Sequence, residues 1–440
     1  MTTQPPFRTS KRQTYFVESS FFASLSIFLH VFLIFLAENA HAGFASQLSI
    51  SLREEFNDNI FFEKNKESDF ITSIIPTFTL LYAPPGQTIP VFTASLAPQG
   101  QIYARNPEET NFGDNVSLNA GYTYYHSPRL TVHLSDSLAR LGNTRIGELG
   151  GFGNLPPPTS LPPSGSVIAQ PSSQQLGGLV ANGQQFSNQL SMRGVYTLDP
   201  NVSVVGDSGV GFRRYLDLGG NDISYTIGAR GIYKWREEHN FHLGYGVNII
   251  RSRAGNNNTV HNIDVGDDYF SNFQIKLAPT LTITALSGIA LNAGGNGPSI
   301  ANRSNITITK LWERATLDVG LNKGLTPSFG VSGISDTTSF SANLSARLTE
   351  LLTMTANVNY SLFDTEDGKF RALIGSAGVL YQINRWLASS VQYSYRLQDA
   401  SSGAASTGVL TGGRVNSNSI ALAFTALFNL WPNLGLGQQP

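Results

Sequence analysis

From Leu48 onward, apolar and polar residues alternate with a period of two in one stretch of the chain after another. In Ser389 to Gln398, SSVQYSYRLQ, the residues Val391, Tyr393, Tyr395 and Leu397 share one parity, and Ser390, Gln392, Ser394, Arg396 and Gln398 share the other. Leu352, Met354, Ala356, Val358, Tyr360 and Leu362 alternate in the same way with Thr353, Thr355, Asn357, Asn359 and Ser361. Successive side chains of a strand point to opposite faces, so each stretch is read as a strand with one apolar face and one wet face. No stretch beyond the N-terminal region has a convincing helical period, and the expected class is all-β. A secreted sandwich, solenoid or propeller would also alternate, so the connections have to decide.

Strand cores are expected at 46–56, 69–82, 89–104, 114–126, 129–140, 186–198, 202–215, 222–235, 240–253, 260–277, 280–291, 303–312, 314–324, 336–348, 351–363, 370–383, 386–398 and 417–431. Tight links such as APPG, HSPR, LDPN and NRW follow the even strands, and longer polar loops such as NDNIFFEKNKES and NPEETNFG follow odd ones. An even strand number of about 18, with short turns at one end and long loops at the other, is expected of a transmembrane antiparallel outer-membrane β-barrel with both termini periplasmic. Lipid then covers the apolar parity, and closure pairs every backbone group. Tyr122, Tyr124, Trp235, Trp312, Trp386 and Trp431 gather near strand ends, where interfacial aromatics belong. Three residues fit poorly: Pro76 interrupts the second strand, and Asp136 and Lys310 fall on the apolar parity of theirs.

Residues 1–42 have the parts of a secretory signal: Arg8, Lys11 and Arg12, then the apolar run FFASLSIFLHVFLIFLA, then Ala40-His41-Ala42 as the cleavage site. A retained membrane anchor is the alternative. The barrel is expected over 43–431, with a tail at 432–440. Beyond the signal, no apolar run reaches the ~20 residues of a spanning helix. The chain holds 440 residues, yet only 13% are charged and the net charge is −1, which argues against a nucleic-acid partner. It has no cysteine, which excludes disulfides, thiolate metal sites and thiol catalysis.

By parity the pore-facing charges are Arg53, Arg193, Arg213, Arg230, Lys234, Lys276, Arg347 and Arg396 against Glu55, Asp207 and Asp318. Rings of charge set ion preference in wide pores, so this excess favours anions or acidic polymers, unless the groups pair within a plugged barrel. The segment 141–182, rich in Pro, Gly and Ser, either folds into the pore or extends from the surface. GDSGVG at Gly206–Gly211 is spelled like the nucleophile loop of chymotrypsin-like proteases, but no matching histidine segment exists and Ser208 falls on a lipid-facing parity. Asp264, Asp267 and Asp268 are expected in an outer-rim loop, where they either bind Ca²⁺ or are simply solvated. No catalytic constellation, cofactor or metal site is expected.

The opening strands, SISLREEFNDNIFF and then SDFITSIIPTFTLLY, resemble the start of the beta-barrel porin 2 family, through Phe56-Asn57-Asp58-Asn59 and the entry Ser68 to Thr72. The resemblance spans about forty residues. It implies an outer-membrane barrel linked to exopolysaccharide export, with a periplasmic export partner and no catalytic residues to carry over. Lipid, lipopolysaccharide and the barrel assembly machinery are the other expected partners. The tail PNLGLGQQP departs from the usual terminal aromatic strand. Conduction of secreted exopolysaccharide is the first expectation, a general or anion-preferring diffusion porin the alternative, and a plugged structural or adhesin barrel the third.

Overall fold

A computed structural model describes residues 44–84, 90–141, 184–215, 221–236, 239–252, 257–271, 280–294, 299–327, 334–365, 368–400 and 413–431. They contain the strands β1 (Phe44–Asn57), β2 (Asp69–Tyr82), β3 (Phe92–Tyr103), β4 (Asn111–Ser127), β5 (Leu130–Leu141) and β6 (Gln185–Asp199). The next six are β7 (Val202–Tyr215), β8 (Asn221–Arg236), β9 (His239–Ser252), β10 (Asn257–Ser271), β11 (Thr280–Gly294) and β12 (Ser299–Leu311). The last six are β13 (Ala315–Pro327), β14 (Ile334–Arg347), β15 (Leu352–Thr365), β16 (Gly368–Asn384), β17 (Leu387–Ala400) and β18 (Gly413–Trp431). Each strand pairs with its neighbours in sequence, and β1 pairs antiparallel with β18, so the 18-stranded sheet closes on itself. No edge is left open, as a strand structure in lipid requires.

The alternation maps onto this closure. Directly opposed residues share a face, and the ladder Leu48–Phe78, Ile50–Pro76, Leu52–Ile74 and Phe56–Phe70 gathers one parity of β1 and β2 on the outside. Leu52 is 50% exposed, Ile227 66%, Leu243 64% and Val265 61%. Val391 and Tyr393 are exposed on the same outer face of β17. Such side chains girdle the whole barrel, far more apolar surface than a water-soluble monomer exposes, so the outer face is a lipid face. Polar residues take the inner parity. The chain is an outer-membrane β-barrel.

The misfit residues find local explanations. Pro76 stands in β2 opposite Ile50 of β1, and the β2–β3 ladder lapses between Ile74–Gly100 and Phe78–Leu96. The register on either side of the lapse sets Pro76 opposite Pro98, so two residues without an N–H face each other where no bond is made. Lys310 is on the outer face opposite Leu281 and Leu317, one residue from the turn end of β12, within reach of the interface for its long stem. Asp136 also faces outward, in mid-strand, and accepts from Asn188 Nδ2 at 2.9 Å.

Tight turns join the even strands to the odd ones, and four use one device. Ser127, Asp199, Thr349 and Asn384 each accept, through a side-chain oxygen, the backbone N–H groups two and three residues ahead. The Asp199 bonds to Asn201 and Val202 are 2.7 and 2.9 Å long. These are side-chain-closed turns of the kind Asp, Asn, Ser and Thr favour.

Some expected boundaries move: β12 begins at Ser299 rather than 303 and β18 at Gly413 rather than 417, while the expected reach of β10 over 272–277 lies outside the described residues. Asp264 lies at the middle of β10 and Asp267 and Asp268 toward its turn end, not in an outer-rim loop, because pairing with β9 runs through all three. Ala40, Ala42, Lys276, the tail 432–440 and, apart from Leu141, the segment 141–182 lie outside the described residues.

Candidate functional site

The inner face is the candidate site, and register decides which side chains reach it. On β6, β7 and β8 the opposed set Arg193–Asp207, Asp207–Gly228, Val205–Arg230 and Arg213–Asp222 is inward. Lys234, opposite Asn240, extends the same parity to the turn end. These three neighbouring strands thus present Lys234, Arg230, Arg193 and Arg213 at successive heights from the turn end to the loop end, with Asp207 and Asp222 as countercharges. Arg193 Nε is 3.6 Å from Asp207 Oδ1, an ion pair without a hydrogen bond at that atom. Arg230 lies beside Gly244, where an added Cβ would sit 3.7 Å from the arginine stem.

The described wall from β11 to β13 carries one inward charge of each sign. Asp318 is inward on β13 and accepts from Thr309 Oγ1 at 2.6 Å. Asp264 and Asp268 occupy inward positions of β10, opposite Gly288 and Thr284. Arg303 of β12 is inward opposite Gly288. Asp69, Asp222 and Arg303 join the inner face, and the described charges there keep an excess of cations. The cations are concentrated on β6–β8, where Lys234, Arg230, Arg193 and Arg213 stand with Asp207 and Asp222 between them.

Other expected pore-facing charges are inward but engaged or covered. Arg53 Nη2 meets Glu55 Oε2 at 2.7 Å, and Asn57 Nδ2 donates to Glu55 Oε1 at 3.3 Å. Glu55 is 2% exposed and Arg396 is 9% exposed, so neither presents an open charge to a passing solute. Ser335, Thr337, Ser361, Phe363, Phe370, Gln398, Val415 and Ser417 are inward and buried with them, all toward the loop end of β14–β18. Arg347 is inward and exposed at the opposite, turn end of β14.

Part of the cover over β1–β3 and β18 is visible. The connection 58–68 folds inward, packing Ile60 with Ile71 and Tyr103, and Phe62 with Val415. Asn59 fastens it, donating from Nδ2 to the carbonyls of Glu63 and Asn416 at 2.8 and 2.9 Å. Asp58 accepts from Lys66 Nζ at 2.8 Å, Asn418 N at 2.6 Å and Asn418 Nδ2 at 2.9 Å. Burial pushes the Asp58 carboxyl up, but the bonds from Lys66 and Asn418 and the lysine charge outweigh it and hold it below the usual range. Phe62 carries this tight fold at φ 52°, a region side chains rarely occupy. Asp69 anchors the far end, accepting the N–H groups of Phe70, Arg105 and Asn106 and the Asn106 amide.

The aromatics Tyr122, Tyr124, Trp235, Trp312, Trp386 and Trp431 all stand at the turn end. Tyr124, Trp235, Trp312 and Trp386 are exposed, and the Arg236 guanidinium lies 4.4 Å over the Trp235 ring. Ser208 is on the outer face opposite Met192 and Ile227. Among the described residues, no group of three or more His, Asp or Glu side chains is placed to hold a metal ion.

No protein family and no curated protein matches the chain, so the likeness of the opening strands to the beta-barrel porin 2 family stands without a match behind it. Solved structures do align along most of it. OccAB3 of Acinetobacter baumannii is 11% identical over 88% of this chain and 99% of its own, with a TM-score of 0.42. The outer membrane protein opdK of Pseudomonas aeruginosa is 10% identical over 87% and 99%, with a TM-score of 0.41. The anion-selective porin of Comamonas acidovorans is 12% identical over 88% and 99%, with a TM-score of 0.35.

Proposed function

We propose that this barrel is a passive outer-membrane channel for small hydrophilic solutes, in which acidic solutes travel along the β6–β8 wall. The supporting observation is the inward series Lys234, Arg230, Arg193 and Arg213 on three adjacent strands. Barrels of 16–18 strands are wide enough for an aqueous channel, so side chains rather than backbone set what passes. Each cation along the wall replaces part of an anion's hydration and passes it to the next, and the flanking Asp207 and Asp222 keep the hold weak enough for release. No catalytic step is required. Export of an exopolysaccharide, which the opening strands' resemblance implied, has no further support in this barrel. Both termini are placed on the periplasmic side because the short turns lie at that end.

Planar-bilayer conductance of refolded residues 43–440 under a salt gradient tests the reading. Steady currents with a reversal potential on the anion side are expected, moving toward cations in Arg193→Ala and Arg230→Ala. Silence from a correctly folded barrel, or a cation-leaning current indifferent to both substitutions, would overturn it.

A further inference from the structure

A lipid-facing surface has little use for polar groups, yet two sites on this one are polar at mid-height. At the first, Asp136 of β5 accepts from Asn188 Nδ2 of β6 at 2.9 Å. At the second, the Tyr245 hydroxyl of β9 meets His261 Nδ1 of β10 at 2.7 Å. All four residues have outward parity, opposite Leu190, Leu138, Ile263 and Val247 respectively. An ionisable group facing hydrocarbon costs enough that it normally marks a partner. Asn188 and the Ser137 backbone N–H satisfy two of the carboxylate's acceptor sites and leave the others open. With the Tyr245 hydroxyl donating to Nδ1, neutral His261 carries its proton on Nε2, and among the described residues that atom has no acceptor. One site has acceptor capacity to spare and the other a donor without an acceptor.

The surface between the sites is recessed. Across the strands, Gly194 of β6 opposes Gly206 of β7, which opposes Ala229 of β8, which opposes Tyr245 of β9. A Cβ added at Gly194, Gly206 or Gly231 would meet no atom within 4 Å. Asp136 is the seventh residue of β5 and Tyr245 the seventh of β9, both counted from the turn end, so the two sites stand at matching depth. Four strand-to-strand steps of the 18 separate β5 from β9, about 80° around the barrel. In a closed ring of identical subunits the two contact directions of each copy diverge by about 60° for three copies and about 90° for four.

We infer that the outer face from β5 to β10 binds a second copy of this chain, with the Asp136–Asn188 site of one barrel against the Tyr245–His261 site of the next. The contact is head-to-tail, His261 Nε2–H donating to the Asp136 carboxylate, and it repeats around a ring whose axis the glycine recess faces. The inference goes beyond the channel reading and requires only that the outer face lie in lipid.

The absence of cysteine makes the test direct. Leu134→Cys/Ile263→Cys, an exposed outward residue beside each site that leaves Asp136 and His261 in place, is treated with a short bismaleimide in intact outer membranes of cells producing the full chain, beside Leu134→Cys alone and Leu134→Cys/Ile420→Cys. Folding of each is checked by its heat-dependent shift on a gel. The first variant is expected to give a ladder ending at the closed ring, roughly tenfold more product than either control, a ratio that separates docking from collision. A folded double variant that stays monomeric, or product equal to the controls, would overturn the inference. The unaltered barrel in mild detergent is expected at the mass of a multimer, and Gly206→Leu, which fills the recess, at that of a monomer. A monomer carrying retained lipid in the unaltered barrel would show that lipid alone covers the face and would also sink the proposal.

Discussion

At the scale of single residues, the folded-in connection 58–68 depends on a few charged and amide groups with little redundancy. Asp58 joins Lys66 to Asn418, and its carboxyl is held below the ordinary carboxylate value of about 3.9. A lowered value means that the folded connection prefers the ionised form. Its contribution is therefore complete above about pH 4 and is lost as the pH falls through the lowered value. Limited proteolysis between Asn59 and Glu67 should be slow at pH 6 and fast near pH 3, and Asp58→Asn should be cut readily at both. Equal rates at the two pH values would dissociate Asp58 from the fastening. Gly266 makes a sharper demand. It lies inward between His242 and Leu286, and a Cβ there would collide with the Ala285 carbonyl and the His242 ring. Gly266→Ala should lower the midpoint of urea unfolding by an amount corresponding to about 1–3 kcal/mol, the range for forced overpacking. Gly194→Ala, at an open outer position, should leave the midpoint in place.

At the scale of the element, the turns show how sequence sets register. Asp199, Ser127, Thr349 and Asn384 close their turns through two backbone N–H groups each, so replacing the side chain leaves both groups to water and frees the turn to slip. Asp199→Ala should cost about 1 kcal/mol, as loss of a capping side chain does, and should slow refolding into lipid. Asp199→Asn should restore most of both, and a variant with unchanged unfolding and refolding would show that the turn is held by the strands alone. This is also where the fold was most legible. Strand number, order and which parity faces lipid follow from the two-residue period and the turn chemistry, which are local properties of the chain. The start of β12 was not legible, because Ala301-Asn302-Arg303 has no apolar rhythm to announce a strand. Only pairing with β11 decides those positions.

At the scale of the whole molecule, the site was half legible. Parity assigned Arg193, Arg213, Arg230 and Lys234 to one face, but it cannot say which charges share a wall or which are covered. Those depend on closure and on a connection folding back inside. Arg53 shows the difference: it is inward as expected, yet Glu55 lies against it at 2.7 Å. What closure adds is concentration, with Lys234, Arg230, Arg193 and Arg213 brought onto the three adjacent strands β6–β8. Such an arrangement selects by field rather than by fit, and a field in water has a measurable range. At 0.1 M salt the screening length is about 10 Å, long enough for the basic wall to act on ions well out into the channel. At 1 M it is about 3 Å, and only ions touching the wall feel it. The anion preference should therefore be clear in 0.1 M potassium chloride and nearly absent in 1 M, while the current itself rises with salt. Arg193→Ala and Arg230→Ala should shift the reversal potential at 0.1 M and leave it almost unmoved at 1 M. A preference independent of salt would mean that selection is made by direct contact at a constriction, and the field of the basic wall would then not be the selecting feature.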